Sequence, residues 1–144
     1  LIDCPPSLSL LTINGLIAAK DGILIPVQCE YLALEGLGQL TQTITRVQSS
    51  LQPDLAVRGV ILTMYDGRTN LAVDVVDEVR RYFPKKVFNS VIPRSIRLAE
   101  APSRGVPISI YAPESTAAKA YSALAREILE QDGVHIPAFV TTDS

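Results

Sequence analysis

Leu1-Ile2-Asp3-Cys4-Pro5-Pro6-Ser7 opens the chain. An apolar run that ends in an aspartate and passes at once into a proline-rich turn is how a parallel strand delivers a carboxylate to the top of a sheet. There the carboxylate can hold a Mg²⁺-bound water beside a nucleotide phosphate. The alternative is an aspartate that merely caps the turn behind it. Leu1 to Asp3 is therefore read as the stub of a first strand. Met64 is the only methionine, so Leu1 is not expected to be a native start, and the sequence is expected to be a piece of a longer protein.

Outward from this stretch, short apolar runs alternate with longer amphipathic ones, the pattern of β-α units on a parallel sheet. Leu8 to Lys20 reads as a helix with Leu11, Gly15 and Ala18 on one face, stopping at Asp21-Gly22. Ile23 to Val27 is apolar throughout, as in a strand covered on both faces. Ala33 to Leu51 is a long helix with Leu37, Leu40, Ile44, Val47 and Leu51 as its buried stripe. Val57 to Met64 is a strand, and Tyr65 to Thr69 is a polar loop. A helix over about Asn70 to Phe83 places Leu71, Val75, Val79 and Phe83 at i, i+4 spacing. Val87 to Ile92 is a fourth strand, broken by Pro93. Pro102, Gly105, Pro107 and Pro113 then divide a segment of short pieces. Ser115 to Glu130 is the last helix, with Ala120, Tyr121, Leu124 and Ile128 inward. Residues 1–130 make one domain portion, and 131–144 lack periodicity and read as a flexible tail.

Composition narrows the function. The 144 residues are 47% hydrophobic, enough for one core. A formal net charge of −2 argues against a strongly basic nucleic-acid wrapper but leaves room for a local basic patch. Cys4 and Cys29 lie far apart with a single histidine, His135, so a zinc site is not expected. No apolar run reaches the ~20 residues of a membrane span, and nothing resembles a signal peptide. The expected setting is the cytoplasm.

Four stretches together resemble the ParA family of partitioning ATPases, specifically its Soj-like branch. They are L-I-D-C-P-P-S-L-S-L-L-T-I-N at 1–14, P-V-Q-C-E-Y-L-A-L-E-G-L at 26–37, L-T-M-Y-D-G-R-T-N-L at 62–71 and V-I-P-R-S-I-R-L-A-E-A-P-S-R-G at 91–105. The match runs from Leu1 to about Leu129. It implies an α/β P-loop NTPase fold of the ParA/MinD kind, a mostly parallel sheet with helices on both faces. Such proteins carry an N-terminal K-G-G-x-G-K-[ST] loop whose N–H groups cradle phosphates. None of the eight glycines here begins a G-x-x-x-x-G-K. The chain thus resembles a C-terminal portion. It is expected to lack the P-loop strand from its sheet, to be poorly stable and inactive as an ATPase alone, and to bind no ATP, ADP or Mg²⁺ by itself.

The resemblance also implies roles. Asp3 is the Walker B carboxylate, catalytic and orienting Mg²⁺ through a water. Pro5, Pro6 and Ser7 occupy the switch II position, where a loop senses the γ-phosphate; as plain sequence, Pro-Pro is a stiff turn. Pro93 and Ser95 lie against adenine and ribose, Ser95 standing where many relatives have Asn. Met64 borders the base or packs in the core. Arg68, Arg94, Arg97 and Arg104 are candidates for DNA phosphates, because guanidinium forks bind phosphate bidentately and stay charged. The run Arg80 to Lys86 reads as a solvated helix end. Glu30, Tyr31 and Glu35 are possible dimer contacts, and Cys4 reads as a small buried thiol.

The function so implied is ATP-dependent dimerisation with non-specific DNA binding that segregates chromosomes or plasmids. Hydrolysis would be stimulated by a ParB-type partner, and the protein would be nucleoid-associated. Two alternatives remain. A MinD-like membrane-cycling ATPase needs a basic amphipathic C-terminal helix, and the tail after Gln131 has no Lys or Arg. A non-catalytic α/β interaction module without a P-loop is the other.

Overall fold

The computed structural model describes residues 1–5, 7 and 9–134. Pro6, Leu8 and the 135–144 stretch with His135 lie outside the described residues, so much of the tail expectation goes with them. In order, the elements are α1 (Leu10–Ala18), β1 (Ile23–Gln28), α2 (Ala33–Ser50), β2 (Val57–Thr63) and α3 (Asn70–Tyr82). After them come α4 (Ile96–Glu100), a 3-10 turn (Ala101–Arg104), α5 (Ile108–Tyr111) and α6 (Thr116–Gln131).

β1 and β2 pair in parallel, Ile25 opposite Val60 and Val27 opposite Leu62. Every second N–H of β1 points toward β2, from Ile23 to Ala56 O at one end and from Cys29 to Thr63 O at the other. Pro26 falls on the opposite parity, so its missing donor faces away from the ladder, the place a strand tolerates proline. The alternation sorts side chains onto two faces. Ile25, Val27, Val60 and Leu62 bury against Leu16 of α1, Leu37, Ile44 and Val47 of α2, and Val75 and Val79 of α3. Leu24 and Ile61 face the other way, toward Phe88, Ile92, Leu124 and Ile128. The sheet is therefore parallel and covered by helices on both faces, as expected.

Close approach explains one glycine. A Cβ on Gly59 would stand 2.2 Å from Cε2 of Phe88, a ring only 1% exposed. The Phe88 ring thus lies directly on the β2 backbone.

Several expectations require correction. Residues 1–5 form no strand. Leu1 and Ile2 are exposed, and no ladder bond among the described residues joins them to β1. Unpaired backbone stays in water rather than in a sheet. Cys4 is exposed rather than buried; Cys29 is the buried thiol, and burial pushes its pKa up. The inward face of α1 carries Thr12 and Leu16, with Leu11 outward. On α2, Leu51 falls beyond the last helical residue and is exposed. On α3 the buried stripe is Ala72, Val75, Val76 and Val79, and Leu71 is exposed. The burial on α6 includes Ala117 and Ala118 beside Leu124, with Tyr121 exposed. On α1 the face is turned by one position; on α3 and α6 Val75, Val79 and Leu124 are buried as expected, and the exposed Leu71 and Tyr121 are apolar residues in excess of the buried arc.

The fourth strand is also not continuous. Val87 bridges Val60 and Pro93 bridges Tyr65, both parallel, but the run between them is irregular. Five steps along the chain from Val60 to Tyr65 face six from Val87 to Pro93, a β-bulge.

Candidate functional site

In an open parallel sheet, ligands bind outside the carboxyl ends of the strands, where the loops and their side chains gather. Three loops meet there. Cys29-Glu30-Tyr31 follows β1, Met64-Tyr65-Asp66 follows β2, and Pro93-Arg94-Ser95 follows the extended 87–92 segment. The last two are tied by backbone: Tyr65 N–H donates to Ile92 O (3.1 Å), and Arg94 N–H donates to Tyr65 O (2.9 Å). The Arg94 guanidinium lies 3.6 Å from the Glu30 carboxylate, linking the first loop to the third.

Met64 sits at the end of β2 with φ +56°. This left-handed conformation costs a non-glycine residue on the order of 1–2 kcal/mol, and such strain collects where a loop must be aimed at a ligand. Its side chain and that of Pro93 are half-buried. Ser95 is the extended N-cap residue preceding α4, and its hydroxyl makes no capping bond. That hydroxyl is left able to meet a ligand.

Asp66 and Arg68 form a closed unit in the loop after β2. Nε and Nη2 of Arg68 donate to the two carboxylate oxygens at 2.8 and 2.6 Å, and Arg68 N–H donates to Oδ1 at 3.1 Å. The Arg68 side-chain hydrogen bonds hold the Asp66 carboxyl at about 2, and the same bonds raise the Arg68 pKa. The Thr69 hydroxyl accepts from Ala72 N–H at 3.3 Å and starts α3. Arg97 on α4 and Arg104 at the end of the 3-10 turn are exposed, with no ion pair among the described residues.

Asp3 is exposed and makes no hydrogen bond or ion pair among the described residues. Its neighbours Ile2 and Cys4 lie beside Gly15 of α1. The structure thus gathers Met64, Pro93, Arg94 and Ser95 at one edge, keeps Arg68 in the adjoining loop, and leaves Asp3 along α1 with no recorded bond to that edge. Pro5 and Ser7 are exposed beside it, and Pro6 is outside the described residues. No group of three or more His, Cys, Asp or Glu side chains is placed to hold a metal among the described residues. A lone outer-sphere carboxylate fits a magnesium held through water, and needs no such cluster.

Sequence reading missed Asp66, the partner that folds Arg68 back, and Glu127, which binds the backbone of the 89–90 bulge from α6. The first had a signal, a D-x-R spacing in a tight loop. The second had little: Glu127 is one more acidic residue beside the apolar stripe of α6.

A family described as an AAA domain matches residues 1–57. The chain is 56% identical over 133 residues to the chromosome-partitioning ATPase Soj of Treponema pallidum, covering 92% of this chain and 52% of that protein. It is 57% identical to the sporulation initiation inhibitor protein Soj of Bacillus subtilis over 89% of this chain and 50% of the relative. The chromosome partitioning protein ParA of Myxococcus xanthus is 55% identical over 92% of this chain and 46% of its own length. Among solved structures, cobyrinic acid a,c-diamide synthase from Mycobacterium smegmatis with a bound ATP analog and magnesium superposes with a TM-score of 0.69. It is 38% identical, over 96% of this chain and 51% of that one. The same synthase has been solved with ADP and magnesium. The chain spans about half the length of the relatives it matches. Its resemblance to Soj and ParA chromosome-partitioning ATPases and its P-loop NTPase-type α/β fold are shown along that span.

Proposed function

We propose that this chain, Soj/ParA-like over about nine-tenths of its length, serves as the C-terminal portion of a chromosome-partitioning ATPase. The observation that carries the reading is the gathering of Met64, Pro93 and Ser95 at the carboxyl edge of a parallel sheet, in a sequence more than half identical to such ATPases. In it Pro93, Ser95 and Met64 border the base. Asp3 holds a magnesium-bound water as the catalytic carboxylate, and Pro5, Pro6 and Ser7 respond to the terminal phosphate. The phosphate cradle comes from outside this stretch, since no G-x-x-x-x-G-K lies within it.

ATP supplies the energy, and magnesium supplies charge neutralisation at the phosphates. The residues of this chain orient the base and one magnesium ligand. Exposed Arg94, Arg97 and Arg104, with Arg68, offer a sequence-independent grip on DNA phosphates, and dimerisation with ATP would present the set twice. A DNA-bound ParB-type protein would then stimulate hydrolysis. The solved neighbours with bound ADP or ATP analog and magnesium support the nucleotide part. No described helix is long and apolar enough to cross a membrane.

The test is nucleotide turnover by the intact gene product. Asp3→Ala should lower Mg²⁺-dependent ATP hydrolysis about 10–100-fold, the scale for removing an outer-sphere metal partner, and leave ATP binding in EDTA unchanged. Equal hydrolysis by both proteins would remove Asp3 from the chemistry.

A further inference from the structure

In a regular parallel ladder the N–H of Ser90 would bond Leu62 O, because Val60 already bonds Lys86 O (2.8 Å) and Phe88 N–H (3.0 Å). It does not. Leu62 O accepts from Ile92 N–H at 2.9 Å instead. The Ser90 N–H released from the ladder turns to α6, where the Glu127 carboxylate takes it together with the Asn89 N–H, which faces away from β2. Asn89 N–H donates to Oε1 at 2.7 Å, Asn89 Nδ2 donates to the same oxygen at 3.1 Å, and Ser90 N–H donates to Oε2 at 2.9 Å. Two backbone donors on two carboxylate oxygens form a charge-assisted clamp. It spans 37 residues of sequence and joins α6 to the 87–92 segment.

The position of this clamp gives it a consequence. The bond to Leu62 O is displaced by two residues, from Ser90 to Ile92, and the net offset at the Tyr65–Pro93 bridge is one. Downstream of the bulge, Ile92, Pro93 and Arg94 bond at a register displaced from that at Val87, and Met64 takes its left-handed turn on the facing strand. We propose that Glu127 is a positioning residue for the base-contacting loop: by holding the Asn89–Ser90 bulge open it sets the register at which Pro93 and Ser95 meet Met64. The inference rests on the nucleotide reading above for what the loop contacts, but the register itself stands on the backbone bonds.

Glu127→Gln keeps the volume of the side chain, removes its charge and leaves only one carbonyl acceptor for two backbone donors. Amide hydrogen exchange and nucleotide affinity are measured on the intact protein. The expected result is exchange at Asn89, Ser90 and Arg94 roughly tenfold or more faster, the scale of one lost charge-assisted bond. The preference for ATP over GTP should fall by a similar factor, with GTP affinity retained. A purely structural brace would instead weaken ATP and GTP alike and lower Tm, and that outcome overturns the proposal. So does unchanged exchange at Arg94. If the unsubstituted protein binds neither nucleotide, the reading of the site fails, and exchange at Arg94 alone decides the register. Should Glu127→Gln not fold, Glu127→Asp, with the charge on a shorter arm, takes the same two measurements.

Discussion

Gly59 and Arg68 show how much single residues decide. With Phe88 resting on Gly59, any side chain there must displace a ring in the core. Gly59→Ala should destabilise the protein by about 1–3 kcal/mol, the usual cost of overpacking, measured by urea unfolding; an unchanged midpoint would mean that the ring moves freely. Arg68 is held by Asp66 on both carboxylate oxygens. The folded pKa of Asp66 is depressed to about 2, so the pair persists from neutral pH down to that range and opens only as pH falls through it. In the DNA reading Asp66 competes with phosphate for the Arg68 fork. Arg68→Ala should reduce the salt slope of DNA binding by about one, and Asp66→Asn should tighten binding only when Arg68 is present. If Asp66→Asn acts equally with Arg68 removed, the competition is not for that guanidinium.

Among the elements, α6 does more than its amphipathic pattern announces. Its N-terminus is closed by Ser115, whose hydroxyl accepts from Ala118 N–H at 3.2 Å. Loss of that cap in Ser115→Ala should cost about 1 kcal/mol in a denaturation series. Near its C-terminus, Arg58 of β2 donates to Ile128 O at 3.2 Å and pairs with Asp132, and Glu127 grips the bulge. Burial pushes the Glu127 pKa up, but the N–H groups of Asn89 and Ser90 outweigh it and bring it below the ordinary value. Its contribution to stability is therefore complete above the ordinary carboxylate value of about 4.3 and is lost as pH falls through the lower folded value. Acid unfolding of Glu127→Gln should accordingly lack part of the pH dependence seen in the unsubstituted protein below that value. Superimposable acid transitions would contradict the clamp.

At the scale of the whole molecule, the parallel α/β architecture was legible because it rests on the spacing of apolar runs. β1, β2, α2 and α3 lie within a residue or so of their expected bounds. The resemblance to Soj and ParA was legible because four motifs occur in the right order. Less readable were features set by contacts distant in sequence. The Asn89–Ser90 bulge depends on Glu127, and Val87 to Ile92 by itself reads as an unbroken strand. The strand expected at Leu1 to Asp3 did not form: Leu1 and Ile2 are exposed and make no ladder bond among the described residues, and an apolar run becomes a strand only through the partner it pairs with. The face of α1 was misjudged by one position and Leu71 was wrongly placed on the otherwise correct α3 stripe, because Leu11 and Leu71 are apolar yet exposed, and hydropathy alone cannot tell which side of a wide stripe meets the sheet.

The central claim is that the carboxyl edge formed by Met64, Pro93 and Ser95 receives the base of a nucleotide. Photo-crosslinking the intact protein with 8-azido-ATP and Mg²⁺, followed by peptide mapping, tests it most directly. The account predicts label in the peptides carrying Met64-Tyr65 and Pro93 to Arg97, competed away by ATP. Competable label confined to peptides far from that edge, such as those of α2 or α6, would contradict it.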